Sequence, residues 1–143
     1  MVLVAKDIVE KEFLSLPAET SALEAAHRMK GTSHGFVIIA SPGGDPEGIV
    51  TEWDYLAKIV ADERNPRNVK LRDMMSSELV SVDANQGLDQ VAQLMAQKGI
   101  RRVLVVKDHQ VLGVITAKTM LSRLKEYVDK VSSQIARLQS PMF

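Results

Sequence analysis

GIVTEWDYL, residues 48–56, returns almost unchanged as GVITAKTML, residues 113–121. Glycine, an apolar pair, threonine and a closing leucine recur, while Asp54 of the first copy gives way to Thr119 in the second. Working outward, Asp7 and Asp73 stand 66 positions apart, and the same shift carries Glu12 onto Glu78, Ser15 onto Ser81, Ala18 onto Ala84, Ala26 onto Ala92, Met29 onto Met95 and Val37 onto Val103. Past the next loop the shift falls to 65, from Thr51 to Thr116, so the first copy holds one extra residue where loops tolerate insertion. Residues 5–61 and 71–127 therefore read as two copies of one unit. DERNPRN, residues 62–68, joins them with charges, asparagines and a proline. The expected division is a first repeat over 1–62, a linker over 63–70, a second repeat over 71–127, and an extension of the last helix with a tail over 128–143.

Within each copy the periodicity changes in the same order. FLSL and LVSV are short strand candidates, followed by Pro17 and Asp83 as turn residues. SALEAAHRM opens with Ser21 and Glu24 at capping-box spacing and sets Ala22, Ala25, Ala26 and Met29 on one helical face; GLDQVAQLM repeats that face with Leu88, Val91 and Met95. GFVIIA and RRVLVV are too short for helices and rich in β-branched residues, which predicts buried strands. PGGDPEG and KDHQ connect them as hairpin loops to GIVT and VLGVIT, and a helix follows Thr51 and Thr116. Each copy is thus predicted as β-α-β-β-α, and the fold class as α+β.

Composition narrows the function classes. A chain of 143 residues suffices for one domain or two small ones, and at this size about 68–70% of the unfolded surface is buried on folding. Its 18 basic and 18 acidic residues leave a net charge of 0, which speaks against duplex nucleic acid or an anionic membrane as the main partner. There is no cysteine, which removes disulfides, thiolate zinc sites and cysteine nucleophiles, and fits an intracellular setting. No apolar run approaches the length of a membrane span, and MVLVAKDIVEKE carries acids where a secretory signal would continue apolar. A soluble, cytoplasmic protein is expected. His27, His34 and His109 lack partners at metal-ligand spacing, no serine stands in a recognisable nucleophile-base arrangement, and GGDPEG lies between two strands rather than before a helix. No enzyme is expected, and no metal or required cofactor.

The ordered set, LRDMM before the first strand and glycine, two apolar residues, threonine and a following acid before the last helix, occurs twice and resembles the CBS domain, named for cystathionine β-synthase. RDMMSSELVSVDANQGLDQVAQLMAQKGIRRVLVV is the part most similar to that family. The resemblance implies two repeats packed sheet to sheet about a pseudo-twofold axis. It further implies a cleft for an adenosine-containing ligand such as AMP, ADP, ATP or S-adenosylmethionine, and regulation of a partner. No catalytic or transport domain is read in the chain, so the effector is expected to be a separate, unidentified protein. The rival reading is a dimerising adaptor that binds no nucleotide.

Asp54 supports two roles. With Thr51 as N-cap, an acid three residues on satisfies free backbone N–H groups and suits the helix dipole. A carboxylate also accepts from both hydroxyls of a ribose cis-diol, and the resemblance assigns Thr51 and Asp54 to ribose and phosphate contacts. Arg101 and Arg102 either form a solvated strand edge or bind phosphate through the guanidinium fork; in the family the second of these positions is an arginine, the first often a histidine. The resemblance sets Arg102 across the axis from Thr51 and Asp54, and places the base against Leu79, Val80 and Ser81, although Val80 also suits plain core. The second motif, Thr116 and Thr119, would face Gly35 and Phe36 and lack both acid and cations, leaving a weaker site. Trp53 suits either a ligand stack or a partner interface.

The final helix adds one more signal. Leu121, Leu124, Val128, Val131, Ile135 and Leu138 recur at intervals of 3, 4, 3, 4 and 3, a heptad seam. Either the chain covers this seam itself or another chain does, and a homodimer is expected.

Overall fold

The computed structural model of the chain describes residues 3–138; the tail expected over 139–143 lies outside them. The first repeat forms β1 (Ser15–Leu16), α1 (Ala22–Lys30), β2 (Phe36–Ala40), β3 (Pro46–Thr51) and α2 (Glu52–Tyr55). The second forms β4 (Ser81–Asp83), α3 (Leu88–Lys98), β5 (Arg102–Lys107), β6 (Gln110–Thr116) and α4 (Ala117–Leu138). α2 runs on as a π-helical turn, Leu56–Val60. The β-α-β-β-α order is as predicted, and the class is α+β. No described helix is long and apolar enough to cross a membrane.

Each repeat builds a three-stranded sheet, ordered β1-β2-β3 and β4-β5-β6. The first pair of each sheet is parallel and the second antiparallel. A parallel pair needs a crossover, which α1 and α3 supply. Between β5 and β6, Asp108 and His109 both adopt positive φ, 50° and 66°, the geometry of a tight hairpin turn whose twist matches its strands. Both hairpins carry an irregularity at the same place, between Ile39 and Ala40 and between Val105 and Val106. Ser21 Oγ accepts the Glu24 N–H at 3.1 Å and starts α1; Gly87 occupies that position before α3 with no side-chain cap. The aspartates that reveal the repeat are caps as well: Asp7 accepts from the Val4 N–H at 2.9 Å and Asp73 from the Lys70 N–H at 3.3 Å.

The compact units are not the contiguous repeats. Among the described residues, one unit is 12–80; the other joins 3–11 with 81–138. Each sheet thus takes its leading segment from ahead of the other repeat. In the first unit Ser21 bridges Lys70 and Ile49 bridges Ser76; in the second Val4 bridges Gly87 and Glu10 bridges Val114. Val69, Leu71 and Met74 of the leading segment enter one core with Leu16, Ala22, Ala25, Val37, Ile39, Val50 and Ile59. Tyr55 Oη donates to the Ala22 carbonyl at 2.7 Å and ties α2 to α1; desolvation pushes its pKa up from 10.0 to about 12. In the second unit Ala5 and Ile8 are buried, as are Leu88, Val91 and Met95 of α3. Met120 is the buried residue of α4, while Leu121, Leu124, Val128, Ile135 and Leu138 of the seam are exposed.

Close approach of the leading segment needs room on the hairpin. A β-carbon at Gly113 would collide with the Glu10 carbonyl oxygen, and one at Gly48 would meet the Ser76 carbonyl oxygen at 2.8 Å. Gly113→Ala is expected to cost about 3 kcal/mol, the upper end of ordinary single substitutions. Gly43→Ala, with Ser41 Oγ 3.9 Å away, should stay within about 0.5 kcal/mol. Urea midpoints at unchanged slope measure both; equal midpoints would show that the bridge is dispensable.

Candidate functional site

Thr51 closes β3 in extended conformation (φ −121°, ψ 169°) and begins α2, which brings Asp54 back over the strand end. Asp54 Oδ2 accepts the Thr51 N–H at 2.8 Å and the Thr51 hydroxyl at 3.4 Å. Its Oδ1 lies 3.1 Å from Lys58 Nζ, one helical turn on. Lys58 Nζ also donates to the Met74 carbonyl at 2.8 Å, which holds the ammonium against the leading segment. Asp54 is 9% exposed, the one buried charged residue among those described. It therefore acts as a cap, and a carboxylate with about four acceptor positions keeps capacity beyond these bonds. Lys58 was not singled out from the sequence, although its i,i+4 spacing from Asp54 is the signal that finds it.

The second motif is built differently. Thr116 Oγ1 accepts the Thr119 N–H at 3.1 Å and so caps α4. The two hydroxyl oxygens are 3.0 Å apart, and the Thr119 hydroxyl donates to Glu10 Oε1. Because a hydroxyl has one hydrogen, Thr116 is the donor between the two threonines. The chain of bonds runs from the Thr119 N–H through both hydroxyls and ends on a carboxylate. The expectation of an acid-free second motif is corrected: Glu10 brings the acid from 109 residues away.

Strand register places the arginines. Arg102 is the Cα partner of Thr116, as Phe36 is of Thr51. Directly opposed residues of an antiparallel pair share a face, so within its unit Arg102 stands beside Thr116. Arg102 is half-buried and Arg101 exposed. The Arg101 carbonyl accepts the Ala117 N–H at 2.8 Å, as the Gly35 carbonyl accepts the Glu52 N–H at 3.0 Å. Leu79 and Val80 are half-buried, and Ser81, exposed, opens β4 opposite Leu104. The residues singled out from the sequence divide between the units, Thr51, Asp54, Leu79 and Val80 in one and Ser81, Arg101, Arg102, Thr116 and Thr119 in the other. Trp53 is 66% exposed and shares a stripe with exposed Leu56 and Val60. Among the described residues no cluster of histidine and acids could hold a metal ion.

Comparison with known proteins adds a family and its relatives. The family model described as CBS domain matches twice, over residues 5–61 and 71–126. An uncharacterized protein of Methanopyrus kandleri, MK0525, is 32% identical over 127 residues, 88% of this chain; the chain spans 64% of that relative's length. The CBS domain pair of protein MJ0100, solved in complex with 5′-methylthioadenosine and S-adenosyl-L-methionine, superposes with a TM-score of 0.76 at 27% identity, covering 88% of this chain and 98% of that one. A hexameric CBS-CP12 protein from bloom-forming cyanobacteria gives a TM-score of 0.75 at 30% identity, over 84% of this chain and 70% of that one.

The cap at Asp54 has a consequence that needs no ligand. Asp54→Ala frees the Thr51 N–H and should cost about 1–2 kcal/mol in ligand-free protein. Asp54→Asn, which keeps an acceptor for that N–H, should cost less. Urea denaturation of both variants checks the order, and equal losses would mean that the negative charge, rather than the acceptor, sets the cost.

Proposed function

The chain belongs to the CBS domain family, with two copies of the domain, and on that premise we propose that it is a non-enzymatic regulatory module that binds an adenosine-containing ligand and acts on a separate effector protein. AMP, ADP, ATP and S-adenosylmethionine are the candidate ligands. What carries this reading is the carboxylate of Asp54, buried, and oriented from one side by Thr51 and from the other by Lys58. An acceptor held in place before the ligand arrives binds at lower entropic cost, and a ribose cis-diol presents two O–H donors to it. The MJ0100 pair, with its two adenosine compounds, supports the same ligand class. In this reading Arg102, with Arg101 beside it, receives phosphate, while Leu79, Val80 and Ser81 contact the base. Ligand shifts the module between two arrangements by no more than its difference in affinity for them. A cytoplasmic setting is part of the proposal, in keeping with a chain that has no cysteine.

The seam on α4 supports self-association. The helix has 22 residues and is about 33 Å long at 1.5 Å per residue. Leu121 is 69% and Leu138 75% exposed, too much apolar surface to leave in water along one stripe. Leu121, Val128 and Ile135 stand at one seam position and Leu124, Val131 and Leu138 at the other, an all-apolar stripe of the kind that pairs helices. A second copy of the chain is the occupant proposed here, and the hexameric CBS-CP12 neighbour shows that related folds assemble.

Two measurements test these readings. Calorimetric titration with the four ligands separates a sensor from a ligand-free adaptor. If Asp54 grips the cis-diol, 2′-deoxy-AMP loses a charge-assisted hydrogen bond of about 1.5–3 kcal/mol and binds roughly tenfold or more weakly than AMP; equal affinities would remove the ribose role. Sedimentation should find the wild type dimeric or larger and a Val131→Glu/Ile135→Glu variant monomeric. A monomeric wild type, or a variant that assembles equally well, would leave the seam without a partner.

A further inference from the structure

Acid and hydroxyl trade places between the two units. Glu10 corresponds to Ser76 under the shift of 66, and Asp54 to Thr119 under the shift of 65. Backbone pairing shows that the first correspondence is structural. Glu10 exchanges N–H···O bonds with Val114, both at 2.9 Å, and Ser76 exchanges them with Ile49 at 2.9 and 3.0 Å. Each leading segment thus lies along the third strand of its sheet, near the threonine that ends that strand. In the first unit the helix carries the acid, Asp54, and the leading segment the hydroxyl, Ser76. In the second the helix carries the hydroxyl, Thr119, and the leading segment the acid, Glu10. The attachment of the carboxylate differs, but its place beside the strand end is kept, because Thr119 donates to Glu10 Oε1.

Helix capping does not account for Glu10. Thr116 Oγ1 already accepts the Thr119 N–H that a cap must satisfy. We propose that Glu10 is the ligand-gripping carboxylate of the second motif. Together with Thr116 and Thr119, it receives the cis-diol of an adenosine-type ligand, as Asp54 and Thr51 do in the first. This inference rests on the adenosine reading above and makes a full binding event of the site that the sequence alone leaves weaker, two events per chain. Glutamate has more rotatable bonds than aspartate and loses more entropy on ordering. The Thr119 hydroxyl offsets that by fixing one carboxylate oxygen before ligand enters. Glu10 thus supplies the acid that the sequence copy of this motif, taken alone, lacks.

The test is a titration of the full chain with AMP and with S-adenosylmethionine, in wild type and in variants that exchange the two residue types. Wild type should show two events. Glu10→Ser, which copies Ser76, should weaken one of them roughly tenfold or more. Adding Thr119→Asp to it, which copies Asp54, should restore that event. Asp54→Ala should weaken the complementary event. Glu10→Gln keeps an acceptor for Thr119 and the backbone bridge to Val114; it should unfold at the wild-type temperature and still lose the same event. Two undiminished events in Glu10→Gln would overturn the proposal. So would a single wild-type event that Asp54→Ala removes and Glu10→Ser leaves intact, a result that spares the adenosine reading. If AMP, ADP, ATP and S-adenosylmethionine all fail to bind wild type, that reading falls and the role of Glu10 falls with it.

Discussion

The exchange of backbone hydrogen bonds between Glu10 and Val114, repeated between Ser76 and Ile49, is the constraint on which the other features rest. Each pair seats a leading segment against the third strand of a sheet. Once seated, the segment delivers Val69, Leu71 and Met74 to the first core and Ala5 and Ile8 to the interior of the second. Seating is possible only because Gly48 and Gly113 leave space for a carbonyl where any other residue would put a side chain. A glycine in a strand ordinarily weakens it through lost packing and greater backbone entropy. Here the gain is a further bridge on the sheet and several buried apolar side chains, each worth about 1.5–3 kcal/mol on full burial.

The same seating decides the polar chemistry. Lys58 is held by the Met74 carbonyl, so the counter-ion of Asp54 is anchored on a leading segment. Thr119 meets its acid because Glu10 is carried to β6 by a leading segment. The two motifs therefore reach comparable composition by different routes, one local within a helical turn, the other assembled across 109 residues. A local arrangement such as Thr51 with Asp54 forms as soon as its helix does. The assembled one exists only when the leading segment is docked, which makes the Glu10 contact a report on that docking.

This difference explains what could be read from the sequence. Strands, helices and hairpins followed from periodicities of a few residues, and the doubled pattern agreed with itself: GFVIIA and RRVLVV, each too short and too rich in β-branched residues for a helix, stand at matching positions of the two copies. Asp54 was readable because it lies within the repeated motif and a turn of helix from its partners. Glu10 was not, because nothing local relates residue 10 to residue 119. Its signal lay in comparing the copies, where Ser76 is matched by an acid. The exchange of leading segments was hidden for the same reason, since contiguous repeats and exchanged ones share one periodicity. Arg102 was readable as a cation at a strand head; that its neighbour across the hairpin is Thr116 follows from register, which depends on the loop and on the irregularity after Val105.

α4 joins two properties that the sequence presents separately. Its first turn is held by Thr116 and Thr119, and its later turns carry the exposed seam. One continuous helix transmits a displacement of its first turn along its length, because its backbone hydrogen bonds resist bending in the absence of proline or an inserted side chain. A ligand that grips Thr119 therefore acts on the same rigid element that would pair with a second chain. Rigidity alone does not make that regulation. The ligand must also prefer one placement of the helix over another, and its effect on assembly cannot exceed that preference. The reciprocal holds with equal force: if ligand strengthens pairing of the seams, pairing strengthens the binding of ligand by the same factor.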